Sequence, residues 1–97
     1  MSTTFIATLK IKAGMEAEFE RLQQELAQLT HQHEPGTLVY DVIKHREQPR
    51  TYVVYGRFKD EAAFQYHQTT AFHDRLVPPI MACIDGAMDL QFYDWKS

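Results

Sequence analysis

The chain has 97 residues, 44% of them apolar and 24% charged, with a net charge of −3. That is enough chain for one domain spanning 1–97, and its composition is that of an ordinary globular protein rather than a disordered one. Lys and Arg are scattered without a basic run, which argues against nucleic-acid binding, and no window is long and apolar enough for a membrane span.

A domain of this size buries only roughly 60–65% of the surface its unfolded chain exposes. Its stability is therefore marginal unless something adds burial. The one cysteine, Cys83, lies within apolar Ile80-Met81-Ala82-Cys83-Ile84 and reads as a small buried hydrophobe. Lys10 and Lys12 interrupt the first apolar stretch, so no secretory leader is expected. The cytoplasm is the default location, in keeping with the absence of a disulfide pair.

Thr4 to Lys12 alternates as a strand, with Phe5, Ala7, Leu9 and Ile11 on one face and Ile6, Thr8 and Lys10 on the other. After Gly14 the period becomes helical from Met15 to about His31. Met15, Phe19, Leu22, Leu26 and Leu29 form one narrow apolar stripe, so this helix lies on something flat. Glu34-Pro35-Gly36 stops the helix. A second strand runs from Thr37 to His45, with Leu38, Tyr40 and Val42 alternating against Val39, Asp41 and Ile43. The polar turn Arg46 to Arg50 leads into a third strand, Thr51 to Phe58, and the pair reads as an antiparallel hairpin.

Asp60 is a good N-cap for a second helix whose inner face carries Ala63, Phe64 and His67. Thr69-Thr70 marks a break or a fresh cap. Phe72, Leu76 and Ile80 continue a helical stripe, which Pro78-Pro79 limits or kinks. Asp85-Gly86 is a turn, and Met88 to Trp95 is a fourth strand, with Met88, Leu90 and Phe92 opposite Tyr93 and Trp95.

The order β-α-β-β-α-β is the ferredoxin-like arrangement, an α+β fold with both helices on one face of an antiparallel sheet. The other face is then bare. Large apolar groups on both sides of the third and fourth strands would expose a patch beyond the several hundred Å2 usual for monomers. Packing two sheets face to face as a C2 homodimer covers it.

Four stretches together resemble the antibiotic biosynthesis monooxygenase-like domains, small dimeric α+β barrel proteins that include cofactor-free quinol and anthrone oxygenases. They are Lys12-Ala13-Gly14 followed by Phe19; Glu34-Pro35-Gly36-Thr37-Leu38-Val39-Tyr40; Tyr52-Val53-Val54-Tyr55-Gly56-Arg57-Phe58; and the segment from Asp60 through His67 and Thr70 to Phe72. The resemblance covers nearly the whole chain. It implies a dimeric α+β barrel, no cofactor, and a small aromatic substrate with molecular oxygen. The third strand departs from the pattern, because many relatives carry a glutamate where this chain has Gly56. Relatives that degrade haem place an asparagine on the first strand and a tryptophan and a histidine on the later helices. The comparable positions here are Ala7, His67 and Leu76, which disfavours haem degradation. His67-Gln68-Thr69-Thr70-Ala71-Phe72-His73 also resembles the signalling-sugar isomerases.

His67 is the first candidate for chemistry: an imidazole between helix and sheet titrates near neutrality and can take a proton from a phenolic substrate. The competing reading is a structural histidine bonded to Thr70 or backbone. Tyr40 and Tyr55 are candidate walls that supply a phenol donor. Phe64, Phe72 and Phe92 are expected to line or pack the cavity, and His73 to lie at its mouth or in solvent. Arg57 and Arg75 are candidate contacts for an anionic substrate or plain surface charges. His31 and His33 are too close in sequence to share a helical face, so no metal site is expected.

The leading expectation is a cofactor-free monooxygenase acting on a quinol- or anthrone-type aromatic, with His67 as base and Tyr55 or Tyr40 as donor to the oxyanion. The alternatives are a cofactor-free isomerase of a phosphorylated sugar using His67 with Arg57 or Arg75, and a non-catalytic binding or stress-response module.

Overall fold

The computed structural model describes residues 2–96. Four strands, β1 (Thr3–Lys10), β2 (Thr37–Lys44), β3 (Thr51–Phe58) and β4 (Asp89–Asp94), form one antiparallel sheet in the order β2-β3-β1-β4. Three helices, α1 (Glu16–His33), α2 (Glu61–Thr69) and α3 (Ala71–Ala82), complete the chain. This is the expected ferredoxin-like α+β fold. β1 stops two residues short of its predicted end, and Ile11 is held instead by an isolated bridge to Ile84.

The strand periodicity decides what is inside. Phe5, Ala7, Leu9 and Ile11 are buried from the first strand, and Tyr52, Val54 and Phe58 from the third. Phe19, Leu22 and Leu26 of α1 and Leu76 and Ile80 of α3 close on them. Cys83 is also buried, and its thiol donates to Pro79 O at 3.4 Å. Burial pushes that thiol's pKa upward, away from reactive thiolate character.

Two local features differ from the sequence expectation, and a third agrees with it. Leu38 does not share a face with Tyr40. Thr37 pairs with Phe58 and Val39 with Arg57, so Leu38 is the extra residue of a β-bulge and lies exposed, while Thr37 and Tyr40 both turn inward. The break expected at Thr69-Thr70 is present: Thr70 ends α2 in extended geometry and caps α3 by accepting from His73 N. Pro78 and Pro79 do not end α3, which continues to Ala82.

The helical layer lies mainly over β2 and β3 and leaves β4 largely uncovered. Leu90 and Phe92 point to the helical side of the sheet, opposite Ala7 and Phe5, yet remain about half exposed. On the other side of the sheet Val53, Tyr55 and Ile6 are only partly covered, and Ile43 is exposed.

Gly56 faces inward between Phe5 and Tyr40. A Cβ built there would stand 2.4 Å from the edge of the Phe5 ring. That ring cannot swing away freely, because Phe58, Phe64 and Tyr40 surround it at centroid distances of 6.1, 6.1 and 6.4 Å. Phe5 thus occupies the volume that a side chain at position 56 would need. Gly56→Ala is expected to destabilise the fold by about 1–3 kcal/mol through overpacking. Thermal denaturation should show that loss, and should show part of it recovered when Phe5→Leu is added.

Candidate functional site

A cavity of about 230 Å3 lies between the sheet and the helices, with Leu90 and Phe92 of the uncovered strand β4 in its lining. Its walls are mostly apolar. The polar exceptions are Gln23 from α1, Tyr40 from β2, His67 and Gln68 from α2, and His73 from α3. Among the described residues no Lys or Arg side chain lines it.

The strongest polar feature is a buried pair. His67 Nδ1 lies 3.0 and 3.1 Å from the two carboxylate oxygens of Glu34, and the two residues are 2% and 3% exposed. Local chain geometry brings them together. Glu34 closes α1, its N–H donating to Thr30 O, and its Oε1 accepts the Thr37 hydroxyl at 2.9 Å. Gly36 lets the turn approach α2 closely, since a Cβ there would meet Ala63 Cβ at 2.7 Å. Lys59 N–H donates to Gly36 O, which ties the same turn to the entry of α2.

A carboxylate can only accept. In the neutral imidazole this contact places the proton on Nδ1 and leaves Nε2 with a lone pair, the tautomer that a general base needs. The ring is held by its neighbours Tyr40, Phe58 and His73 at centroid distances of 5.0, 5.2 and 4.9 Å. The Tyr40 hydroxyl makes no hydrogen bond among the described residues. Burial, then the nearby Glu34 charge, pushes its phenol pKa well above the usual value, so it remains a donor at any physiological pH.

The structure brings together five of the sequence candidates on this cavity: His67, Tyr40, Phe64, His73 and Phe92. It separates the others. Tyr55 lies on the opposite face of the sheet, because β3 alternates and Val54 and Gly56 take the inner positions. Phe72 is half-buried against His33, 6.0 Å between centroids, and lines no part of the cavity. Arg57 stacks 3.7 Å over Trp95 on the open face, and Arg75 pairs with Glu25 at 2.8 Å on the helical surface.

Two further residues, Glu34 and Gln23, belong to the site beyond the sequence candidates. Glu34 reads in sequence as a helix stop, and nothing local reveals that its carboxylate turns back onto α2. Gln23 carried a signal: Phe19, Gln23, Leu26 and Thr30 follow helical spacing, so a glutamine sits on the inner stripe.

Residues 3–78 match the family described as antibiotic biosynthesis monooxygenase. No curated protein matches the sequence significantly. Among solved structures, a candidate antibiotic biosynthesis monooxygenase of Caulobacter crescentus is 25% identical, with a TM-score of 0.94 over 99% of this chain and 91% of that one. A second structure, of an antibiotic biosynthesis monooxygenase, is 28% identical, with a TM-score of 0.87 over 98% and 99% of the two chains. SnoaB of Streptomyces nogalater, a cofactor-independent oxygenase solved as its N63A mutant, shares the fold at 17% identity, with a TM-score of 0.85 over 99% and 94%.

One consequence of the site's electrostatics is directly measurable. Half-buried and facing His67, the His73 imidazole has its pKa lowered, chiefly by desolvation and then by that neighbour. The unfolded chain therefore takes up this proton first, near the ordinary value of about 6.5. His73 contributes stability above that pH, and the contribution is lost as pH falls below it. Melting temperatures of wild type and His73→Phe at pH 8 and pH 5 should show a shallower acid-side decline in the variant.

Proposed function

Because the chain belongs to the antibiotic biosynthesis monooxygenase family, we propose that it is a cofactor-independent monooxygenase acting on a small aromatic hydroxyl compound of the quinol or anthrone type. The observation that carries this reading is the buried Glu34–His67 pair at the wall of an apolar cavity. His67 Nε2 takes the proton of the substrate hydroxyl. Glu34 stabilises the imidazolium that forms, as a carboxylate does in any base–orienter pair. The Tyr40 hydroxyl donates to the developing oxyanion. The electron-rich anion then supplies the electrons that reduce molecular oxygen. One oxygen atom joins the ring carbon and the other leaves as water.

The cavity size supports this. An apolar cavity of about 150 Å3 accommodates benzene, so about 230 Å3 with an open side suits a compound of one or two rings. The charge pattern argues against a phosphorylated sugar. A phosphate needs a cation, and Arg57 and Arg75 are both engaged away from the cavity while Glu34 stands behind its wall. A non-catalytic module has less support, since an apolar binding pocket has no need of a buried carboxylate holding an imidazole.

His67→Ala is expected to reduce oxygen uptake on a confirmed quinol or anthrone substrate by about 100-fold or more, and Glu34→Gln to lower kcat with a smaller effect on KM. Full turnover in His67→Ala removes the base from this scheme. A product formed at an undiminished rate without oxygen removes the monooxygenase reading.

The proposal includes a homodimer formed through the open sheet face, where Ile43 is exposed and Val53 and Tyr55 are partly covered. A second copy packed sheet to sheet covers the same patch on both protomers. Sedimentation is expected to return twice the protomer mass, and Val53→Lys to shift it towards the single protomer.

A further inference from the structure

Gln23 is 5% exposed, lines the cavity, and makes no side-chain hydrogen bond among the described residues. Its chain neighbour Gln24 is exposed to solvent, as a helical glutamine normally is. Its amide nitrogen and oxygen are not sealed in the packed interior but face the open hollow. Pocket walls are mostly hydrocarbon with a few placed polar groups, so an amide presented there is best explained by something that enters the cavity.

We propose that Gln23 determines specificity by hydrogen-bonding a second, uncharged oxygen on an aromatic substrate whose first hydroxyl meets His67. This rests on the reading of the cavity as the substrate site. Gln23 reaches the cavity from α1 and His67 from α2, and the wall they share is mostly apolar, with Leu26, Val77 and Ile80 among its residues. A ring system with oxygens at its two ends fits that arrangement, and a mono-hydroxylated ring leaves the amide unpaired. An amide both donates and accepts, so it serves a hydroxyl or a carbonyl at the far end, and binds a quinol and its oxidised form alike. With no cation on the wall, a carboxylate or phosphate at that end is excluded.

The test is anaerobic calorimetric titration of the full chain with 1-naphthol and with 1,4-dihydroxynaphthalene. Wild type is expected to prefer the diol about tenfold, the value of one neutral hydrogen bond. Gln23→Leu is expected to erase the preference while leaving the 1-naphthol Kd within about twofold, and to melt no lower than wild type. Gln23→Met, unbranched and of similar length, repeats the measurement where the shape of leucine disturbs packing. A preference that survives both substitutions, a wild type without one, or failure of both compounds to bind overturns the assignment, as does a marked fall in melting temperature in both variants. Admitting air to the diol complex separates this inference from the parent reading. The expected binding pattern without oxygen uptake sinks the monooxygenase and leaves Gln23 in its role; turnover with an unchanged preference in the variants sinks the Gln23 role alone.

Discussion

The Glu34 carboxylate touches three elements at once. It ends α1, accepts the Thr37 hydroxyl at the start of β2, and holds the imidazole of α2. A carboxylate this buried is tolerable only when its lone pairs are occupied, so the turn, the strand and the helix must arrive together. The close contact of Gly36 with Ala63 is the steric side of the same requirement. Once α2 is seated in this way, His67 has one orientation, and the ring nitrogen that is free of the carboxylate is the one left for chemistry. In the proposed mechanism, stability and reactivity therefore draw on the same few atoms.

The rest of the cavity follows from how unevenly the helices cover the sheet. They pack over β2 and β3, where Tyr40, Tyr52, Val54 and Phe58 are buried, and leave β4 nearly bare. Half-exposed Leu90 and Phe92 of β4 line the same hollow as residues buried under the helices, and most of that lining is hydrocarbon. In the proposed reaction such a lining keeps water from a reactive anion.

Strand alternation made most of the sheet legible: the inward set Phe5, Ala7, Leu9 and Ile11 and the hairpin between the second and third strands can be read directly from period-two patterning. The inner helical residues Phe64 and His67 are legible from their spacing, and Thr70 from its capping chemistry. The misreadings have specific causes. Alternation cannot register one inserted residue, so it puts Leu38 on the face of Tyr40 although a bulge turns it out. Tyr55 and Tyr40 are alike as strand tyrosines, but the parity of β3 sets Tyr55 on the far face. The partner of His67 lay outside local reasoning altogether, since Glu34 and His67 meet only through the tertiary approach of a turn to a helix. Gln23 was legible as an anomaly on the apolar stripe, but its meaning depends on a cavity that no single element contains.

The interlocked pair Phe5 and Gly56 bears on how such a site can change over generations. A side chain at position 56 and an aromatic ring at position 5 compete for one volume, so lineages must pass between the two arrangements through an intermediate that is either crowded or hollow. With the ring in place, acquiring a carboxylate on that strand is no longer a single step. Change in what the hollow accepts is then channelled to other positions of its wall, such as the half-exposed Met81. Two descendants of one ancestor can in this way keep the same architecture while their chemical histories become hard to reverse.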